Sequence, residues 1–397
     1  MRRILLAGAA VLATATAGTA EVKLGSLGGV TGPIAEIVAL LMEGRELAAR
    51  HVNEQGGLFA DGQQLTLVVG DSACDPKAAV DAATKLVNVD QVVAIVGPNC
   101  SGATLAAAQS VTIPAGVVIL SESATSPAIT ALDDKDLVFR AAPSDAYQGI
   151  ALANYILGQG VKTVALTNAN DDYNAGLAAE FAKAFEAAGG KIAAHQVHEP
   201  NKANYRAEVA TLGGAKADAL VVFAYYGSSG IAIIRNALET GAYSKFFGAD
   251  GMVNDELVNQ LGVDALKDAA FTTPGADDST GAFKAYMELA KDLKQPLGPY
   301  VPNAYDATFL LALAIEKAGS ADRSKIAAAL REVATPPGEV ILPGEWAKAK
   351  ALIAEGKDIN YEGATGSLDF DAAGDVPGTY TLNTVTPDGK FAAKLLK

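Results

Sequence analysis

Residues 92–120 read VVAIVGPNCSGATLAAAQSVTIPAGVVIL. Positions 92–96 are an unbroken apolar run, which predicts a short strand buried on both faces. Gly97 and Pro98 end it, and the small residues from 102 to 109 predict a helix able to pack closely on a sheet. Positions 117–120 give the next apolar strand. Strand, helix and strand in so short a stretch predict a parallel pair with a crossover helix.

The same unit recurs on both sides. Upstream, 22–27 and 65–69 read as strands. Ile37, Leu41, Ala48 and Val52 repeat at helical spacing, and Asp75-Pro76 opens a helix running to 87. Downstream, 137–140 leads through Ala141-Ala142-Pro143 into a helix at 146–157, and the alternation restarts. Strands at 161–166, 191–197, 219–223, 246–248 and 269–273 are separated by helices at 174–188, 205–212 and 231–240. This predicts two doubly wound α/β units of similar size, with hinges near Pro143 and Pro274. Helices at 282–292, 305–317 and 324–333 follow, then a Pro- and Gly-rich stretch from 335 to 344, a short helix at 346–355, and strands and turns over 366–397.

The chain has 397 residues, half of them hydrophobic and only 19% charged, a folded composition sized for two or three domains. Its net charge is −14 with no basic patch, which argues against nucleic acid and an anionic membrane as partners. Arg2 and Arg3 precede an apolar run at 4–12, and Gly18-Thr19-Ala20 supplies small residues. This is the pattern of an export leader over residues 1–20, cleaved after Ala20. Export favours pairing of the two cysteines, Cys74 and Cys100; two buried free thiols are the alternative.

Catalytic patterns are poorly represented. There is no Gly-x-Ser-x-Gly elbow and no phosphate loop, and Gly25–Gly29 lacks dinucleotide spacing. His195 and His198 fall on opposite faces of a strand and read as solvated residues. An enzyme, a metal site and a cofactor are not expected.

Polar residues instead follow the strands. Ser101 opens a helix, and Ser121-Glu122-Ser123-Ala124-Thr125 follows the next strand; hydroxyls beside a helix N-terminus suit a carboxylate. Ordinary capping is the alternative. In the second unit Asp145, Tyr173, Tyr225 and Asp250 take similar positions. Two carboxylates and two phenols suit an ammonium, so the two sets together describe a clamp for a zwitterion.

These residues carry a family resemblance. Thr31-Gly32-Pro33-Ile34-Ala35, Asn53-Glu54-Gln55-Gly56-Gly57, Ala73-Cys74-Asp75-Pro76-Lys77 and Gly97–Ser101 match in order and spacing. So do Ala124-Thr125 with Pro127, Phe139-Arg140 followed by Asp145, Gly298-Pro299-Tyr300 and Asn303-Ala304-Tyr305. Residues 21–397 resemble the periplasmic leucine/isoleucine/valine-binding proteins of ABC transporters. The resemblance implies a type I periplasmic binding protein, with two doubly wound lobes joined by three hinge crossings. One lobe would comprise 21–143 plus about 275–366, and the other 144–274 plus about 367–397, with the third crossing within 361–376.

Carried over by position, Ser101, Thr125 and the backbone near Ser123 would bind a ligand α-carboxylate. Asp145 and Asp250, with Tyr225 beside them, would bind the α-ammonium, and Tyr173 would pack on the ligand. The family disulfide falls on Cys74 and Cys100. The implied protein is a periplasmic monomer that delivers an amino acid, aliphatic or branched-chain, to permease subunits. A receptor for an amide, urea or aromatic acid, or a ligand-sensing module, is the alternative. Three departures bear on the ligand. Ile37 stands where an aromatic residue is common, and Asp250 where Glu is common. Glu122 replaces a small residue or Pro and could meet a polar or cationic ligand side chain. Residues 335–365 look like an inserted, packed surface excursion.

Overall fold

The computed structural model describes residues 21–396, so the expected leader lies outside the described residues. Strands β1 (Glu21–Gly28), β2 (Gln64–Asp71), β3 (Ala94–Val96), β4 (Val118–Ser121) and β5 (Val138–Arg140) form a parallel sheet in the order β2-β1-β3-β4-β5. The apolar run at 92–96 supplies its central strand: all three residues of β3 are buried between β1 and β4, in register Leu24 with Ala94 and Ala94 with Val118. Helices Ala35–Glu54, Pro76–Asn88 and Ser101–Ala107 provide its crossovers. The second starts where Asp75 caps it, accepting from the Ala78 amide at 2.8 Å, with Pro76 as its first residue. The third does not run to Gln109 as one α-helix; it loosens into a π-turn at Ala108–Thr112.

A second sheet contains β6 (Thr163–Ala169), β7 (Lys191–His198), β8 (Ala219–Phe223), β9 (Phe246–Ala249) and β10 (Ala270–Gly275). The chain then builds a small sheet from β11 (Glu339–Ile341), β12 (Ile359–Gly363) and β13 (Gly366–Ser367). It returns with β14 (Thr379–Val385) and β15 (Phe391–Leu395) to complete the second sheet, ordered β15-β14-β10-β9-β8-β6-β7. In each sheet the strand order reverses beside a central strand, between β1 and β3 and between β6 and β8. Such switch points leave a crevice at the carboxyl ends of the strands.

Residues 335–365 combine exposed stretches, 336–340 and 354–358, with side chains anchored in the core. Ile341, Trp346, Ile359 and Tyr361 are buried in the cluster that covers one face of the first sheet, and the Trp346 indole N–H donates to the Gly57 carbonyl at 3.2 Å. The last crossing is also later than about 367. Leu368, Phe370 and Val376 are buried in the same first-sheet cluster, and Phe370 packs edge-on against Phe139 at 5.0 Å between ring centres. Asp375 grips Arg140 through two bonds of 2.6 and 2.7 Å. Only then do Pro377 and Gly378 pass Pro143, so closely that a Cβ on Gly378 would lie 2.4 Å from the proline ring. The crossings therefore fall beside Pro143, at Pro274-Gly275 and at 376–378. No helix among the described residues is long and apolar enough to cross a membrane.

Candidate functional site

Each candidate residue owes its place to a strand end. Ser101 opens a helix just after β3, behind Cys100, whose sulfur joins Cys74 with 5.5 Å between their Cα atoms. The disulfide pins the loop after β2 against this helix start. Ser123 and Thr125 follow β4. Ser123 donates to the Asn99 carbonyl at 3.2 Å, and Ser101 Oγ accepts from the Ser126 amide at 3.2 Å. Thr125 is fully buried, and its hydroxyl lies beside the Asp145 carboxylate without a well-formed hydrogen bond.

On the other side, Asp145 begins helix Asp145–Gly158, which Ser144 caps. Its amide donates to the Thr125 carbonyl at 2.9 Å. Its carboxylate is fully buried and paired with no cation among the described residues; the Thr125 hydroxyl lies beside it and eases its charged form, without a well-formed hydrogen bond. Burial first, and the nearby Asp250 carboxylate second, push this carboxyl well above the ordinary range. Asp250, directly after β9, is also raised by burial, although it accepts from Gln148 Nε2 at 2.8 Å and from the Tyr173 hydroxyl at 2.9 Å. Tyr173 follows β6, where Asp171 caps its helix, and stacks on Tyr225 after β8 with ring centres 5.3 Å apart. Burial holds both phenols well above their usual pKa, so they remain donors.

Some of these groups line a cleft between the lobes. Ile34, Ile37, Leu41, Asn99 and Ser123 line it from the first lobe, Tyr173, Tyr225, Asp250 and Gly251 from the second, and Pro299 and Tyr300 complete the wall. Ser101, Thr125 and Asp145 are not in that lining. They are buried at 2, 0 and 0% exposure and linked to one another through Ser126 and the Thr125 carbonyl. The lobes touch here, because Ser126 Oγ donates to the Asp172 carbonyl at 3.0 Å.

Two site residues escape a sequence reading. Gln148, which holds Asp250, stands three positions after Asp145, and helical spacing places both on one face. Tyr300 is buried in a left-handed conformation (φ 60°), and its hydroxyl lies beside the Asp250 carboxylate. Its only signal is the Gly298-Pro299-Tyr300 match.

Glu122 differs from expectation. It is neither solvent-facing nor open to the cleft: its carboxylate forms a fully buried ion pair with Arg45 and accepts from Asn99 Nδ2 at 2.6 Å. A cationic ligand side chain would have to compete with that guanidinium. The histidines are not simply solvated either. His195 meets Asn168 at 2.7 Å. His198 is buried between Thr167 at 2.8 Å and Ser229 at 2.9 Å, and burial lowers its pKa to about 4.

Two buried carboxylates therefore lie close together, and one of them has no cation paired with it among the described residues. The nearest cation, Arg140, is spent on Asp375, the Ser126 carbonyl and Thr130. Buried charge of this kind calls for a partner. A ligand cation would supply it.

Residues 21–375 match the family described as "Periplasmic binding protein". The chain is 34% identical over 323 residues to the leucine-, isoleucine-, valine-, threonine- and alanine-binding protein of Pseudomonas aeruginosa, covering 80% of this chain and 85% of that one. Among solved structures, a leucine-binding protein from Thermotoga maritima superposes with a TM-score of 0.80 at 24% identity, covering 95% of this chain and 99% of that chain. The branched-chain amino acid transporter substrate-binding protein of Streptococcus pneumoniae, in complex with isoleucine, gives a TM-score of 0.78 at 26% identity over the same shares.

Proposed function

The chain belongs to the periplasmic binding protein family, and on that premise we propose that it is an exported receptor that binds a free amino acid between its lobes and passes it to the permease of an ABC importer. The lobes are 21–143 with 275–376, and 144–274 with 377–396. The three crossings between them act as the hinge. The ligand α-carboxylate meets the Ser101 and Thr125 hydroxyls and the backbone at Ser123. The α-ammonium lies between Asp145 and Asp250 beside Tyr225, and Tyr173 packs over the ligand. The receptor acts by binding alone, as a monomer in the periplasm, after its leader is removed behind Ala20.

One observation carries this reading: the Asp145 carboxylate is fully buried with no cation paired to it among the described residues, next to a second buried carboxylate. An ammonium is the ligand group that offsets both. Relatives named for leucine, isoleucine, valine, threonine and alanine support an amino acid of modest size. A thermal-shift screen of the common amino acids, simple amides and aromatic acids tests the proposal. Amino acids should raise the melting temperature in a concentration-dependent way. Stabilisation by amides or non-amino acids alone would overturn it.

A further inference from the structure

The first-lobe wall of the cleft is not uniformly apolar. Asn99 lines it beside Ile34, Ile37 and Leu41, and its residue is only 4% exposed. The side-chain amide is held in one orientation. Oδ1 accepts from the Gly29 amide at 3.1 Å, and Nδ2 donates to the Glu122 carboxylate at 2.6 Å. A donor on one side and an acceptor on the other exclude the flipped amide. Glu122 is in turn fixed by Arg45, which also donates to Ser26 Oγ at 2.8 Å and to the Leu27 carbonyl at 3.2 Å. The backbone leaves room for this assembly: a Cβ on Gly28 would lie 2.5 Å from Asn99 Oδ1, and one on Gly97 would lie 2.8 Å from Arg45 Nη2.

Such a seat has consequences for the ligand. The Arg45–Glu122 pair leaves no net charge behind the wall, so it gives no reason to select a charged side chain. The Asn99 amide keeps one N–H and one lone pair beyond its two bonds. An aliphatic side chain packed against it would leave those groups dry and unmatched, whereas a hydroxyl or carboxamide would satisfy them. We propose that Asn99, positioned by Glu122 and Arg45, is a specificity-determining residue that makes this receptor prefer an amino acid with a neutral polar side chain over its aliphatic isostere. This rests on the amino-acid reading above.

The test is calorimetric titration of the full chain with two near-isosteric pairs, threonine against valine and asparagine against leucine. In at least one pair the polar member should bind about tenfold more tightly, and Asn99→Leu should abolish or invert that preference. If the aliphatic member binds as tightly or more tightly in both pairs, the inference is wrong; this arm needs no variant. An equal loss for both members in Asn99→Leu would place Asn99 against the ligand's backbone groups and would equally overturn it. Failure of every amino acid to bind the folded protein would instead overturn the amino-acid reading itself, and the inference with it.

Discussion

The backbone N–H of Asp145 donates to the carbonyl of Thr125 at 2.9 Å, across the first crossing between the lobes. That bond keeps the Asp145 carboxylate and the Thr125 hydroxyl side by side where the lobes meet. We assign the first to a ligand's ammonium and the second to its carboxylate.

Replacing Asp145 separates binding from stability. Asp145→Asn should weaken amino-acid binding on the order of 2–5 kcal/mol, because the ammonium loses a desolvated charge partner. The ligand-free protein should melt at the same temperature or higher, because a buried, unpartnered carboxyl has been neutralised. Titration calorimetry and thermal unfolding of the same sample read the two effects.

Acid should oppose binding. The Asp145 and Asp250 carboxyls are raised in the ligand-free protein, and an ammonium between them favours their charged forms. Affinity is therefore full above the raised values and falls as the pH drops through them. Within that window, binding releases protons. Calorimetry in buffers of different ionisation enthalpy should show this release, and proton uptake would contradict the assignment.

The Arg140–Asp375 pair ties the strand before the first crossing to the segment before the third. Arg140 is fully buried and Asp375 is 9% exposed at the side chain. Asp375→Ala would leave the guanidinium buried without its bidentate partner and should cost about 3–5 kcal/mol of stability. Urea unfolding of the variant and the parent measures it.

Reducing Cys74–Cys100 opens a loop of sequence separation 26. On the chain-entropy estimate this costs about 3–4 kcal/mol. It should also weaken ligand binding, since Cys100 precedes Ser101 at the helix start. Mass spectrometry of unreduced protein should find both thiols blocked, and unfolding with and without reductant gives the stability difference.

The sheets were legible because their central strands are buried on both faces and read as plain apolar runs, 94–96 and 219–223 above all. Asp145, Tyr173, Tyr225 and Asp250 were legible because a doubly wound sheet exposes whatever follows its strand ends. Gln148 was available from helical spacing alone. The fate of Glu122 was hidden, since its partner Arg45 is 77 residues away on a helix whose pattern says nothing about a buried cation. The third crossing was hidden for a similar reason. Leu368, Phe370 and Val376 stay with the first lobe because of Phe139 and Arg140, both distant in sequence. Residues 335–365 read as inserted relative to the shortest members of the family they resemble, yet Trp346 is buried in the core and bonds to Gly57.

The central claim is that one ligand presents an ammonium to Asp145 and Asp250 and a carboxylate to Ser101 and Thr125. Titration with the tightest-binding amino acid, its N-acetyl derivative and its carboxamide tests this most directly, because each derivative removes one charge and keeps the side chain. Both derivatives should lose at least about a hundredfold in affinity, which is roughly 2.7 kcal/mol. Retained affinity for the N-acetyl form would contradict the account at its centre, since an acetylated nitrogen cannot offset two buried carboxylates.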